Sequence, residues 1–531
     1  MPSRSEGVTP PVETIVIRAD ASAAIGFGHV SRCLALAEAI RRHGCRVVLR
    51  SRGLAGSLRQ RALAIGCELL PDDGDTARTE SRATHEESDA TSLVAALATT
   101  GVLPSWVVVD GYGFSAEWHG IVRGSGARVL CIDDLADRPL DCDLLLDQNL
   151  VEDMHTRYVP LLPPQCRTML GPRFALLSTE YAQLRQTSSR PAHGPQNVLI
   201  SFGGADRGGA TLAAVEAFCR LGGKELSADV IVGRTHHRRA AVESLAQADG
   251  RIRIIDHLPS LAPLLAKACL CVGGAGVTAW ERLCLGVPSI AVAIAGNQQP
   301  IAAALAAHRL AWVCDASSAS LTDDLLLAMR AVIAGEHDLR VAAGMHLCDG
   351  QGATRVAAAL LASARVPLRV RRVEAQDRDL ILSWANDPET RRASLTTRMI
   401  TDVEHATWFA ARLAAADTCV FLMATMADGV AVGNVRFERR DEAWLLSFVI
   451  APEFRGVGLG RRMVGAALAH LAEILGRAVV TADVRHDNPA SRRILESLGF
   501  RLAHSPRTPI ASSYRCEIGR PATAAPTEEA A

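Results

Sequence analysis

Three clusters of residues have types and spacings that chemistry can use. The first is Gly26-Phe27-Gly28-His29, at the end of a short apolar run. A glycine turn that opens a helix presents backbone N–H groups to an anion. His29 leaves this turn with a side chain whose ordinary pKa, about 6.5, suits a base at neutral pH. Asp20 and Asp110 end neighbouring apolar runs and either orient His29 or cap helices. Tyr112, one of only four tyrosines, follows another run and is suited to hydrogen-bonding a sugar or a water. The second cluster is Gly273-Gly274-Ala275-Gly276-Val277-Thr278, followed by Trp280-Glu281-Arg282. Its glycines suit a pyrophosphate, and a carboxylate at Glu281 could accept hydrogen bonds from both hydroxyls of a ribose. The third is Arg455-Gly456-Val457-Gly458-Leu459-Gly460, which opens a helical pattern over Arg461–Ala472 and again suits a pyrophosphate.

These clusters need elements to hold them. Ile15-Val16-Ile17-Arg18, a helical pattern through Leu34, Leu36, Ala37 and Ile40, then Arg46-Val47-Val48-Leu49-Arg50, form a strand–turn–helix–strand unit. Trp106–Asp110 and Arg128–Ile132 continue the grammar, and the acidic stretch 71–90 is expected to be a surface loop. Asn197–Ser201, Ala228–Val232, Cys269–Val272 and Ser289–Val292 repeat it. Two doubly wound halves imply a ligand cleft at the carboxyl ends of their strands. From Leu368 the pattern changes. Strands follow one another without intervening helices at Val420–Ala424, Val430–Val435 and Trp444–Ile450, which predicts an antiparallel sheet. The expected fold class is α/β: two Rossmann-like half-domains over 14–165 and 166–350, a linker over 350–367, then a mixed α+β domain over 367–518. Residues 1–13 and 519–531 are expected to be disordered tails.

Composition narrows the function classes. Lys+Arg and Asp+Glu both number 57, so there is no electrostatic footprint for nucleic acid or an anionic membrane. No signal-peptide pattern and no long uninterrupted apolar run occur, which predicts a cytoplasmic chain without a membrane span. The 14 cysteines form no CxxC pair, and no metal is expected. Oligomeric state is not read from the sequence.

The third cluster resembles the acetyl-CoA loop of the GNAT superfamily of N-acetyltransferases, matched by Arg455, Gly458 and Gly460. Asn488-Pro489-Ala490-Ser491 and Leu498-Gly499-Phe500 match a second hallmark of that superfamily. The resemblance implies acetyl-CoA as cosubstrate, held by Val449, Ile450, Arg455, Gly456, Gly458, Gly460 and Asn488, with the strand Ser447–Ile450 splayed beside pantetheine. Leu495 stands where many members carry a tyrosine proposed to protonate the departing thiolate. Leucine cannot donate a proton. For the general base, His405, Glu404 and Asp483 stay open.

Residues 14–350 resemble the GT-B glycosyltransferases, and more closely the UDP-sugar hydrolases of pseudaminic acid biosynthesis. The likeness rests on Arg18-Ala19-Asp20, Gly26-Phe27-Gly28-His29, Asp110-Gly111-Tyr112, Asp133-Asp134, Ser201-Phe202-Gly203-Gly204 and Gly296-Asn297-Gln298. It implies His29 as general base, with Tyr112 and Asp20 beside it. A UDP-sugar would lie on Gly28, Gly274, Gly276, Glu281, Asn297 and Gln298. The expected whole is a bifunctional enzyme: N-acetylation of an amino sugar carried on UDP, then release of UDP. A glycosyltransferase, or a non-catalytic nucleotide-sugar module, is the alternative for the first part.

Overall fold

The computed structural model describes residues 13–519 except 22–26, 55, 72–81, 188–195, 204–205, 207, 224, 235, 257, 259, 336–338, 362–367, 427–428, 456–457 and 504–509. Gly26, Gly204, Gly456 and all but residues 13 and 519 of the expected tails lie outside the described residues. The chain divides into two compact units, Met1–Ala357 and Ala358–Ala531. No helix among the described residues is long and apolar enough to cross a membrane.

The first unit holds two parallel sheets. Their strands are runs of Val, Ile and Leu buried on both faces, the pattern that a sheet covered by helices on each side demands. In the first sheet the spatial order is Glu68–Leu69, Arg46–Arg50, Thr14–Ala19, Trp106–Asp110, Arg128–Ile132, Leu144–Asp147, Arg167–Leu170. In the second it is Ile252–Ile255, Leu226–Ile231, Gln196–Ser201, Ala268–Gly274, Ser289–Val292, Trp312–Cys314. Each sheet reverses winding direction once, between Thr14–Ala19 and Trp106–Asp110 in the first and between Gln196–Ser201 and Ala268–Gly274 in the second. At such a point the connecting helices leave on opposite faces, and a crevice opens at the carboxyl ends. Phe27–His29 of the first cluster and the glycine turn of the second sit at these two ends.

Three sequence expectations need correction. The first sheet does not stop at residue 165, because Arg167–Leu170 pairs with Leu144–Asp147. The stretch 71–90 is not wholly a surface loop: a helix spans Arg82–Thr99, with Glu86 and Asp89 buried. The expected 350–367 linker holds a helix, Gly352–Leu361, whose Arg355 donates to the carbonyl of Arg173 at 2.8 Å. Its start is pressed against the backbone of Phe174 and Ala175, where a Cβ on Gly352 would overlap the Ala175 oxygen.

Asp89 is buried because two guanidinium groups and an indole meet it. Arg18, fully buried on its strand, donates to it from Nε at 3.1 Å and from Nη2 at 2.6 Å. Trp118 Nε1 donates at 3.0 Å, and Arg52 lies at 3.1 Å. The cations outweigh the cost of burial and hold the carboxyl below its ordinary range.

The second unit is built on one mixed sheet in the order Leu368–Arg372, Cys419–Met426, Ala431–Arg440, Ala443–Ile450, Ala478–Arg485, Ala511–Ile518, Arg501–Leu502. All neighbours are antiparallel except Ala443–Ile450 and Ala478–Arg485, which run parallel. That parallel pair is matched only over Ala443–Leu445 and Val479–Thr481. Beyond it the two strands diverge, leaving Leu446–Ile450 without a partner on that side. The fold class expected from the sequence is the one observed.

Removing the Asp89 carboxylate leaves Arg18 buried with Asp20 as its one remaining carboxylate partner among the described residues and strips Trp118 Nε1 of its acceptor. Asp89→Ala should destabilise the first unit by about 3–5 kcal/mol. The check is urea-dependent hydrogen exchange of peptides covering Thr14–Ala19, whose protection should fall at lower urea than in the unsubstituted protein.

Candidate active sites

In the first unit the strand Trp106–Asp110 ends on Asp110, which is buried together with Arg32. The helix Gly28–Arg42 starts beside it and places His29 and Arg32, three residues apart, on one face. His29 Nδ1 lies 2.6 Å from Asp110 Oδ1. Arg32 grips the same carboxylate in a fork, Nε to Oδ2 at 2.7 Å and Nη2 to Oδ1 at 2.6 Å. Burial opposes the charge on Asp110, yet Arg32 and then His29 overcome it and hold the carboxyl far below its usual range. With Asp110 ionised, Nδ1 of His29 is the donor of this hydrogen bond.

Tyr112 completes the first half of the site. Its ring stands edge-on to His29, with centroids 4.9 Å apart, and its hydroxyl donates to Asp134 Oδ2 at 3.3 Å. Across the crevice, Asn297 Nδ2 from the second sheet's side donates to the Tyr112 oxygen at 3.1 Å. His29, Tyr112 and Asn297 are thus brought together. Asp20 is not: it pairs with Arg18 and accepts from the Arg52 backbone N–H at 2.7 Å, so the carboxylate that orients His29 is Asp110. A Cβ on Gly28 would meet open space.

The second half presents the glycine turn. A Cβ on Gly273 would fall 2.3 Å from the Ser201 carbonyl oxygen, so only glycine lets the two central strands end this close together. Gln298 lies over Gly274 and Gly276, and its Oε1 accepts from Ile294 N–H at 3.1 Å. Glu281 sits on the short helix Thr278–Cys284. Burial pushes its carboxyl up to about 7, against the opposing pull of the Tyr181 hydroxyl and of Arg282 and Arg61. Its Oε2 has no hydrogen-bond partner. Among the described residues no group of three or more His, Cys, Asp or Glu side chains could hold a metal.

In the second unit the diverging strands open a cavity of about 980 Å³. Leu446–Ile450 lines one wall, Ala482–Val484 the other, and Gly458, Gly460, Asn488 and Ser491 its floor. Gly458 caps the helix Leu459–Leu475 in the left-handed region, φ 79°. A Cβ on Gly460 would crowd Ile450 and Ile494. Asn488 caps the helix Pro489–Ser497, accepting from Ser491 N–H at 3.0 Å. Arg455 is engaged sideways, with Asp387 at 2.7 Å and Glu389 at 3.0 Å.

The three open base candidates fare differently. Glu404 belongs to a capping box with Thr401, and Arg398 with it holds the carboxyl down at about 2, which removes it as a base near neutral pH. Asp483 lines the cavity and accepts from Ser513 Oγ at 2.6 Å. His405 is 2 % exposed against Trp408 and Phe409, with neither ring nitrogen hydrogen-bonded. Burial and then Arg378 lower its pKa, so the ring is neutral at pH 7. Leu495 is fully buried.

Sequence reasoning passed over Arg32, Arg461 and Arg493. Arg32 was findable from its spacing to His29. Arg461 and Arg493 line the cavity next to the two helix starts, and their signal was their place directly after the glycine loop and after Asn488.

Residues 367–501 match the family model described as the acetyltransferase (GNAT) domain. The chain is 22% identical over 294 residues to the UDP-2,4-diacetamido-2,4,6-trideoxy-beta-L-altropyranose hydrolase of Campylobacter jejuni subsp. jejuni serotype O:2, covering 55% of this chain and 96% of that protein. It is 20% identical over 286 residues to the uncharacterized protein MJ1062 of Methanocaldococcus jannaschii, covering 52% of this chain and 54% of that protein. The chain therefore spans about half the length of this second relative. Among solved structures, Acinetobacter baumannii MurG aligns with a TM-score of 0.47 at 16% identity, over 66% of this chain and 99% of that one. The second unit thus carries a GNAT acetyltransferase domain, which supports the use of acetyl-CoA.

The raised Glu281 carboxyl has a consequence for pH. The folded state keeps a proton that the unfolded chain gives up near pH 4.5, so stability falls as pH rises from there to about 7 and stays low above it. Glu281→Gln should therefore melt higher than the unsubstituted protein at pH 8, by an amount of order 2 kcal/mol, and equally at pH 4. Differential scanning calorimetry at the two pH values checks this.

Proposed function

We propose that the chain is a bifunctional enzyme acting on one nucleotide sugar. The second unit acetylates the C4 amine of UDP-4-amino-4,6-dideoxy-N-acetyl-β-L-altrosamine, and the first unit then hydrolyses UDP-2,4-diacetamido-2,4,6-trideoxy-β-L-altropyranose to the free sugar and UDP. The observation that carries the reading is the oriented His29, held through Nδ1 by buried Asp110 and faced across the crevice by Tyr112 and Asn297. The 22% likeness to a hydrolase of that substrate over 96% of its length supports it.

The chemistry follows from the geometry. His29 Nε2 takes a proton from a water, the water oxygen attacks the anomeric carbon, and the bond to the diphosphate oxygen breaks with its electron pair leaving on UDP. Asp110 stabilises the imidazolium formed, as a buried carboxylate does for a base histidine. Tyr112 and Asn297 hold the sugar or the water. Glu281, with an unpartnered oxygen, accepts from the ribose hydroxyls, and the Gly274–Gly276 turn leaves room for the diphosphate. UDP needs little further help to leave.

In the second unit, acetyl-CoA fits a groove between diverging strands, where the unpaired backbone of Val449 and Ile450 can hydrogen-bond pantetheine. Gly458, Gly460 and Asn488 flank the pyrophosphate, and Arg461 and Arg493 stand ready for further phosphate charge. The sugar amine attacks the thioester carbonyl once its proton is lost, with the neutral His405 ring or Asp483 as acceptor. Because Leu495 has no proton to give, the thiolate takes one from water. The two reactions are consecutive, so one chain keeps both catalysts at equal concentration.

A mass-spectrometric time course with UDP-4-amino-4,6-dideoxy-N-acetyl-β-L-altrosamine tests the reading. Free diacetamido sugar and UDP should appear only when acetyl-CoA is present. Acetylation without UDP release would overturn the hydrolase half and direct attention to a glycosyl acceptor. His29→Gln should cut UDP release by roughly 10²–10⁴-fold while leaving acetylation intact. Asn488→Ala should weaken acetyl-CoA binding about tenfold in calorimetric titration, the loss of roughly 1.4 kcal/mol from one hydrogen bond and its helix cap.

A further inference from the structure

Asp110 receives more donors than its role in holding His29 requires. His29 Nδ1 at 2.6 Å, Arg32 Nε at 2.7 Å, Arg32 Nη2 at 2.6 Å and Cys33 Sγ at 3.5 Å all converge on it. The Arg32 fork also brings a fixed positive charge to the histidine itself, with Nη2 at 3.2 Å from His29 Nδ1. Its third nitrogen, Nη1, lies 3.8 Å from Asp134, the acceptor of the Tyr112 hydroxyl. One buried guanidinium therefore touches the base's ring, the base's counter-ion and the carboxylate behind Tyr112.

A buried carboxylate beside a histidine favours the imidazolium, so the histidine is free to accept a proton only at higher pH. A histidine beside a carboxylate already neutralised by an arginine keeps the orienting hydrogen bond without that bias. We propose that Arg32 is the positioning residue of this site: by gripping Asp110 it holds the carboxylate that orients His29 and offsets that carboxylate's pull on the ring, with Nε2 open to the water it deprotonates. This rests on the hydrolase reading of the first unit. Arginine suits the task because its planar fork serves both carboxylate oxygens and still reaches a third group, which an ammonium cannot do.

Among the described residues no other cation bonded to Asp110 could substitute for it. The elements packed about His29 contribute Asp110, Tyr112, Asp134, Cys33 and the neutral Asn297. The nearby Arg18 is already committed to Asp20 and Asp89.

The test is the pH dependence of kcat/KM for UDP release, together with an NMR titration of ¹³C-histidine-labelled full-length protein, the His29 signal being assigned by its loss in His29→Gln. In Arg32→Met the acidic limb of the profile and the His29 titration should both move to higher pH by about one pH unit or more. The activity lost at pH 7 should be largely regained at pH 9. The double variant Arg32→Met/Asp110→Asn, which removes both charges and leaves no unpaired buried ion, should return the limb to within about half a pH unit of its original position. A purely structural Arg32 would lower activity equally at every pH, and an unmoved limb with an unmoved titration overturns the proposal. Should the single variant fail to fold, a limb in the double variant displaced by more than one pH unit overturns it instead. If the unsubstituted protein releases no UDP while the His29 titration still moves in Arg32→Met, the functional reading fails and the assignment of Arg32 stands.

Discussion

A buried carboxylate has to be neutralised, and the first unit is organised by how Asp110, at the end of a parallel strand, and Asp89, on a helix, meet that demand. Asp110 lies at the carboxyl-end crevice, where the sheet changes winding direction. Asp89 is met by Arg18, Arg52 and Trp118, and this set fixes the helix that carries it against the first strand. Asp110 is met by Arg32 and His29. The two carboxylates have similar surroundings but different consequences. One network is closed, with every partner turned inward. The other includes an imidazole that stays partly exposed.

The second unit meets a different constraint. An antiparallel sheet satisfies its own backbone, and a ligand that needs backbone hydrogen bonds finds none to spare. The parallel pair that parts after three matched residues resolves this by leaving Leu446–Ile450 with unused N–H and C=O groups on one side. The cavity of about 980 Å³ fills the gap. Gly458 and Gly460 then permit the helix to begin at its floor.

Much of this was legible in the sequence where a single local signal sufficed. Continuous β-branched runs marked the parallel strands, closely spaced runs marked the antiparallel ones, and the glycine strings marked the turns that end them. His29, Tyr112 and Asn297 were picked out one by one, and the structure brings them together. What was not legible depended on partners distant in the chain. The acidic stretch 71–90 looked solvated because nothing local reveals that Arg18, some seventy residues earlier, waits for Asp89. For the same reason Asp20 looked like a partner for His29, although Arg18 already holds it. The strand Arg167–Leu170 is too short and too polar to announce itself. The helix Gly352–Leu361 is rich in alanine, and its burial comes from what it packs on.

That last helix bears on how such a two-part chain could arise and be taken apart. Gly352 fits against Phe174 and Ala175, and Arg355 reaches the Arg173 carbonyl, so residues past 350 complete the hydrophobic interior of the first unit. A recombination event, or a protease, that cut the chain at residue 350 would strip the first unit of a piece of its own core. A cut that leaves the first unit whole therefore has to fall after Arg355 and not at residue 350.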